Sequence, residues 1–310
     1  MNSRLLCIFT FLIILQADLP SAESFLIVLP TALPAEESSN SVPEEPKVAA
    51  INETNNDIYF LSVRRNEGST VGDRISYTTL EASIFPCNYK NFSPFVDLRY
   101  HGFGESSQNA ANAGLGFRFA PNRTDVILGA NVYYDYRNVH YGSFNQIGIG
   151  FESLGPLLNF RINGYLPLGK QSQHYSSKYF ARYPGGYFII RKKFADSLRG
   201  LDFEAEMLIA KNCCVDIYLA IGGYYYEKKK CGKNILGSEY RLTVYPQSCF
   251  SFGVCATHNC HYQTRVQAEI TFTIPCRCQG NAEAFSTRYL PVQRREMIVL
   301  DKRDMFNWNW

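Results

Sequence analysis

Apolar residues recur at every second position in a series of segments, each about ten residues long. In 263–274, Val266, Ala268, Ile270, Phe272 and Ile274 alternate with Arg265, Gln267, Glu269, Thr271 and Thr273. In 157–166, Leu158, Phe160, Ile162, Gly164 and Leu166 alternate with Asn159, Arg161, Asn163 and Tyr165. Segments 126–136 and 201–209 follow the same rule, and 110–119, 144–152, 214–222 and 249–256 resemble them. A period of two marks a strand with one apolar face. About ten residues of tilted strand are enough to cross a bilayer. Strands of a soluble β-sandwich also alternate. Here, however, the polar faces carry Arg, Asp and Glu near mid-strand, which a wet lumen tolerates. The apolar faces carry no charge and often end in Tyr, as an interfacial aromatic girdle does. The expected fold is all-β, a closed antiparallel transmembrane β-barrel.

Composition narrows the alternatives. Aromatic residues make up 15% of the 310 residues and charged residues 19%, which is too apolar for a disordered chain. A net charge of +3 leaves no basic footprint for nucleic acid. A mean hydropathy of −0.19 excludes a multi-helix membrane protein but not a barrel, whose apolar half is hidden in alternate positions.

Twelve strands are expected, at about 57–65, 73–85, 92–101, 110–119, 126–137, 144–153, 157–166, 200–210, 214–226, 236–245, 249–257 and 263–274. Twelve is even, as bacterial barrels require. The parity holds only if 167–199 is one outer loop. Two segments compete with it: 186–193, as an arm projecting outside or an extra strand, and 297–310, as a final strand.

The N-terminus reads as an export signal. Arg4 precedes the apolar run 5–15, which is about half a membrane span. Residues 31–56 are rich in Pro, Glu, Ser and Asn and cannot bury a core. The expected organisation is a signal peptide at 1–22, a disordered periplasmic linker at 23–56, the barrel at 57–275 and a C-terminal linker or plug at 276–310. Loss of Cys7 with the signal leaves nine of the ten cysteines, an odd number in a compartment that permits disulfides. Candidates are Cys87, Cys213, Cys214, Cys231, Cys249, Cys260, Cys276 and Cys278, in bridges within the chain or to neighbouring envelope proteins. Cys255 is expected to face the lumen.

Sites of chemistry are sparse. Cys276 and Cys278 with the vicinal Cys213–Cys214 have poor spacing for zinc, which favours pairs two to four residues apart. His258 and His261 flank Cys260 in what reads as a solvated loop. No Ser/His or Asp/His pairing emerges, so neither an enzyme nor a cofactor is expected. Inward-facing charges are expected at Arg118, Asp135, Arg161, Asp202, Glu204, Glu206, Arg241, Arg265 and Glu269. Mixed signs there either pair across the lumen, hold a plug or tune an ion-selective pore. A twelve-stranded lumen is wider than the eight-stranded kind that side chains fill. The charged segment 292–303 is the candidate plug, with Arg294, Arg295, Glu296, Asp301, Lys302 and Arg303 against the lumen. A frayed periplasmic tail is the alternative.

Six runs in order, namely 112–118 (NAGLGFR), 128–136 (LGANVYYDY), 147–152 (IGIGFE), 160–166 (FRINGYL), 198–203 (LRGLDF) and 222–226 (GGYYY), resemble the β-domain of inverse autotransporters, the intimin and invasin family. Residues 288–303 (RYLPVQRREMIVLDKR) resemble that family's linker. The resemblance implies a twelve-stranded outer-membrane anchor in a Gram-negative bacterium whose linker enters the pore and leads a passenger outward. Only seven residues follow Arg303, so no passenger is expected and the adhesin role does not carry over. The expected function is a surface-exposed envelope anchor, with a passive pore or a loop-mediated adhesin as alternatives. The implied partners are outer-membrane lipid, the barrel-assembly machinery and, through cysteines or loops, envelope proteins or a host surface.

Overall fold

The computed structural model describes residues 58–72, 75–86, 91–104, 108–122, 124–180, 188–212, 215–228, 233–247, 249–274 and 288–309; the expected signal peptide and linker at 1–56 lie outside them. Seven strands come first: β1 (Ile58–Gly68), β2 (Tyr77–Phe85), β3 (Phe92–Phe103), β4 (Asn109–Phe119), β5 (Ile127–Val139), β6 (Gly142–Leu154) and β7 (Leu158–Leu168). Next are β8 (Ser172–Phe180), β9 (Phe188–Ser197), β10 (Arg199–Lys211), β11 (Asp216–Glu227), β12 (Ile235–Gln247), β13 (Phe250–Asn259), β14 (Gln263–Ile274) and β15 (Leu300–Asn309). Twelve of these close a barrel in the order β1-β14-β13-β12-β11-β10-β7-β6-β5-β4-β3-β2. Closure runs antiparallel from Leu61↔Ile274 to Gly68↔Gln267, which leaves the barrel without an open edge.

The chain order skips one hairpin. Strand β7 pairs directly with β10, from Tyr165↔Gly200 to Leu158↔Met207. The intervening β8 and β9 form a separate three-stranded sheet with β15. The expected outer loop at 167–199 is thus a projecting hairpin, and 297–310 contributes a strand to it and not to the wall. Both competing segments are strands, yet the barrel count stays even because neither joins the barrel.

The alternation read from the sequence is the sidedness of this wall. Leu115, Phe151 and Phe203 are more than half exposed, at 59%, 59% and 56%, whereas Asp135 and Arg118 are 0% and 1% exposed. The usual soluble arrangement is inverted: the apolar face looks out and the charged face is enclosed, as solvation by lipid requires. Exposed rings gather toward the strand ends, with Tyr59, Phe92, Phe117, Phe119 and Phe250 at the end away from the projecting hairpin and Tyr100, Tyr134 and Tyr136 toward it. At the hairpin end β5 and β6 are joined through His140 and Tyr141 alone, and Gly142 supplies the positive φ of 144° that this tight reversal needs.

Candidate functional site: a lumen threaded by the C-terminal segment

Residues 288–299 run up the interior as an irregular segment outside the barrel ladder, its Val299 carbonyl accepting from the Leu198 amide at 3.1 Å. Such a segment has backbone carbonyls that the barrel ladder does not reach, and buried carbonyls need donors. Side chains of the wall supply them. One Arg118 guanidinium nitrogen donates to Arg288 O at 2.5 Å and Leu290 O at 2.7 Å. Arg99 donates to Val292 O at 2.9 Å, Asn112 to Glu296 O at 2.9 Å and Arg137 to Ile298 O at 2.9 Å. In the other direction, the Arg295 amide donates to the Tyr165 hydroxyl at 2.7 Å.

Apolar collars grip the segment at both ends. At the lower end Tyr289 and Val292 pack among Phe60, Phe85, Phe95 and Tyr133, with the Tyr289 ring edge-on to Phe85 at 4.8 Å. At the hairpin end three consecutive residues take three walls. Met297 joins Tyr77, Phe103 and Ala110, Ile298 joins Val139 and Phe144, and Val299 joins Tyr165, Leu198, Tyr224 and Tyr226. A bend at Met297 breaks the two-sided alternation of an extended chain, which lets three successive side chains meet three parts of the circumference.

Between the collars lies an ionic layer. Arg294 forms a bidentate pair with Asp135 at 2.7 and 2.6 Å and lies over the Tyr133 ring at 4.2 Å. Room for that guanidinium comes from Gly148, where a Cβ would collide with it. Arg295 meets Glu239 at 2.5 Å on the opposite wall. Glu296 sits between Arg64, at 2.5 Å, and Arg99, with His101 Nδ1 at 3.9 Å. Each charge in this layer has an opposite charge against it, and all but the half-buried Glu239 are enclosed, the condition under which buried ions are tolerated.

The nine expected inward charges are placed as follows. Arg118 pairs with Glu152 at 2.6 Å and Asp135 with Arg294. Arg161, Glu204, Glu206 and Arg241 form one cluster from β7, β10 and β12, with Arg161–Glu204 at 2.8 Å and Arg241–Glu204 at 2.5 Å. Asp202 accepts from Asn163 and from the Tyr165 hydroxyl, both at 2.8 Å. Arg265 donates to the Tyr262 and Thr70 carbonyls, and Glu269 lies 3.8 Å from Arg64. Of the six candidate plug residues, Arg294, Arg295 and Glu296 lie in the lumen. Asp301, Lys302 and Arg303 lie beyond it in β15, where Asp301 meets His261 at 2.9 Å and Lys228 at 3.3 Å and Arg303 meets Asp196. Burial and the neighbouring Asp301 charge both raise the pKa of the Tyr262 phenol at this mouth.

Sequence reading missed the other half of these contacts, above all Arg64, Asp97, Arg99, His101, Glu152 and Glu239. Arg64, Asp97, Arg99 and His101 fall on alternate positions of β1 and β3, so the same period-two rule applied to those strands would have found them. Nothing in the sequence says which wall residue meets which plug residue.

The cysteine expectation needs one correction. Cys249 is disulfide-bonded, but Cys260 is a free, exposed thiol. Cys260 stands in the β13–β14 turn at the hairpin end, while Cys249 precedes β13 at the other end. Eleven residues of strand separate them by about 35 Å, far beyond disulfide reach. Cys255 is free, its thiol 3.4 Å from Glu239. Cys87, Cys213, Cys214, Cys231, Cys276 and Cys278 lie outside the described residues. Among the described residues no group of three His, Cys, Asp or Glu side chains gathers in a way that could hold a metal.

Small cavities flank the segment inside the lumen. A cavity of about 110 Å³ lies between Arg294–Met297 and the wall of β10–β14 and β1, and a second of about 40 Å³ lies lower, beside Pro291 and Gln293. Where the segment emerges at the hairpin end, a mouth cavity of about 390 Å³ is bounded by Tyr141, Tyr262 and Lys302.

A twelve-stranded barrel with a lipid-solvated exterior and a charged interior is an outer-membrane β-barrel, located in the outer membrane of a Gram-negative bacterium. The chain belongs to the inverse autotransporter β-domain family, whose model matches residues 35–207. It is similar in structure to a chain solved in work on the in-meso crystallization of membrane proteins, with a TM-score of 0.56 at 17% identity over 79% of this chain and 100% of that one. Weaker likenesses include the translocator domain of the autotransporter NalP from Neisseria meningitidis, with a TM-score of 0.32 at 10% identity over 72% and 89% of the two chains. Another is the COG4313 outer membrane channel from Pseudomonas putida F1, with a TM-score of 0.41 at 8% identity over 69% and 94%. No curated protein matches. Outer-membrane barrels turn short connections to the periplasm and long ones outward. The β8–β9 hairpin therefore marks the outer end, and the C-terminal segment runs from periplasm to surface.

Proposed function

We propose that this protein is a non-enzymatic anchor: a barrel that holds its own C-terminal segment across the outer membrane and displays strand β15 at the cell surface. The carrying observation is the course of residues 288–300, clamped by apolar collars, ion pairs and side-chain donors and delivered to an external strand. An open pore has no use for wall arginines aimed at the carbonyls of one segment. On this reading the N-terminal residues act in export, the barrel-assembly machinery inserts the barrel, and a host surface or neighbouring envelope proteins meet the outer sheet.

Single-channel conductance of the refolded full chain, compared with a chain lacking residues 288–310, tests this. The full chain is expected to be closed and the shortened chain to conduct steadily. Equal, steady conductance from both would overturn the anchor reading in favour of a passive pore.

A further inference from the structure

The barrel is closed and has no edge, but the external sheet runs β15-β9-β8 and ends in two. A strand edge presents a row of unpaired N–H and C=O groups, a template for a further strand. The two edges differ. The β8 edge is broken by a register shift between His174 and Ser176, and it is seated on the β5–β6 hairpin through Gln173 to Ser143 O at 3.2 Å and Tyr175 on Tyr141 at 4.8 Å. A bulge of this kind blunts an edge. Strand β15 pairs with β9 over ten residues without a register shift, and it contains no proline.

Which backbone groups of β15 are free follows from the phase of its ladder. In an antiparallel pair, residues that exchange hydrogen bonds alternate with residues whose N–H and C=O point away. Leu198 donates to Val299 O at 3.1 Å, so Val299 and every second residue after it bond to β9. Leu300 and every second residue after it turn their backbone groups outward. In agreement, Leu300 O accepts at 3.4 Å from Tyr262, which belongs to the β13–β14 turn and not to β9. Beyond it Lys302, Asp304 and Phe306 are exposed, and no described strand meets their outward groups. Space adjoins the edge at its base, where Lys302 borders the mouth cavity of about 390 Å³.

Charge selects what fits there. The three strands carry Lys178, Arg191, Lys192, Lys193, Lys302 and Arg303 against Asp196, Asp301 and Asp304. All three acids are engaged: Asp196 by Arg303, Asp301 by Lys228 and His261, and Asp304 by Arg191. Among the described residues Lys178, Lys192, Lys193 and Lys302 are left without an ion pair. Strands lie about 4.8 Å apart, so a strand added at β15 runs about 10 Å from the β9 lysines, close to one Debye length at physiological salt. A second copy would set the same cationic sheet against this one. A glycan or a nucleic acid offers no row of N–H and C=O groups at strand spacing.

We propose that the free edge of β15 takes an added antiparallel strand from a partner polypeptide, an extended acidic segment whose backbone continues the external sheet. Backbone hydrogen bonds supply the affinity of such strand addition, and alternate side chains supply its specificity. Lys302 and Phe306 are four residues apart on one face, and the Phe306 ring is 53% exposed. The guest therefore carries an apolar side chain opposite Phe306 and, four residues later, an acid opposite Lys302. This rests on the anchor reading, which brings β15 to the cell surface.

The test titrates the full chain in detergent with the end-blocked peptide Val-Thr-Val-Thr-Glu-Thr-Glu. N-methylation of its Val and Glu amides, which face β15 in the antiparallel register, should abolish binding, whereas N-methylation of its Thr amides should leave it. Lys in place of Glu should weaken binding severalfold, as should Lys302→Glu on the protein. Phe306→Pro removes an outward N–H that β9 does not use, a position where an edge strand tolerates proline. It should weaken binding at least about tenfold. The bound peptide should slow hydrogen exchange at the Lys302, Asp304 and Phe306 amides and leave those of Arg303 and Met305 nearly unchanged. Equal effects of the two N-methylated sets, equal binding of the Lys peptide, or full binding by Phe306→Pro would overturn the proposal. A full chain that dimerises in detergent, and loses the dimer in Phe306→Pro, would overturn it in favour of a second copy. Conductance of the same preparation reports separately on the anchor reading: a closed chain that binds no peptide loses only the added strand.

Discussion

One continuous segment is held in two different ways on either side of the barrel mouth. Residues 288–299 lie outside the barrel ladder, and their carbonyls are met one at a time by Arg118, Arg99, Asn112 and Arg137. Residues 300–309 lie in a regular ladder with β9, from Leu300↔Ser197 to Asn309↔Phe188. The inner contacts depend on side-chain identity, because each donor or charge sits at one position of the wall. The outer contacts are between backbones and depend mainly on extended geometry. A side-chain clamp fixes where the segment sits along the lumen, and a ladder accepts whatever sequence follows in strand conformation. Substitutions should therefore be severe inside and mild outside.

The strongest test of that contrast is Glu296. Replacing it by Ala removes the anion that joins Arg64 to Arg99, leaving Arg64 with Glu81 and Arg99 with Asp97 and Glu81. Breaking a buried pair from one side costs about 3 kcal/mol where, as here, other carboxylates stay beside the arginines, so the segment should leave the lumen more readily. Single-channel recording should show an open probability raised by at least a hundredfold. A variant as closed as the parent would mean that the collars alone hold the segment. Arg294→Met should do less. It removes the bidentate pair, but Asp135 keeps donors in Asn112 Nδ2 at 2.7 Å and Gln146 Nε2 at 3.2 Å. About 2–3 kcal/mol is expected, with brief openings in place of a sustained open state.

The barrel was legible in the sequence because its physics is local. Val266 to Ile274 alternate along their own strand, and the side each residue faces follows from the pleat alone. The external sheet was only half legible. Phe188, Ile189 and Ile190 give 186–193 strand character, but its partner β15 lies more than a hundred residues away, and nothing local assigns that pairing. The clamp was the least legible part. Arg294 and Glu296 could be named as charged, and Asp135 as inward. Their pairing depends on barrel closure and on how far the segment is drawn into the lumen, and Gly148 gives no sign in the sequence that it is there to admit a guanidinium. Cys260 misled for a related reason: the cysteine count is a property of the chain, but bridging depends on which end of a strand a thiol occupies.

Two smaller effects complete the contrast. Cys255 lies in the lumen near the threaded segment, whereas Cys260 lies in an outer turn. A membrane-impermeant maleimide should label Cys260 in the full chain and leave Cys255 largely unmodified. Removal of 288–310 should raise Cys255 labelling severalfold without changing Cys260. Equal labelling of both thiols in the full chain would mean that the segment does not occlude the lumen.

The smallest effect is expected at Asp304→Ala, on the external sheet. Asp304 pairs with Arg191, and both side chains are about one-third exposed, at 34% and 35%. Water replaces an exposed ion pair at little cost. The β9–β15 ladder consists of backbone hydrogen bonds that the substitution leaves in place, and the lumen contacts lie below it. Conductance should stay closed, and amide hydrogen exchange in 300–309 should quicken by no more than a few fold. A large acceleration in 300–309 would show that the outer sheet, like the lumen, is fixed by particular side chains, and the distinction between clamp and ladder would fail. Acceleration that spread to 288–299 would go further. It would mean that the two regions open as one cooperative unit, with the external sheet acting as a latch on the threaded segment and not as its passive continuation.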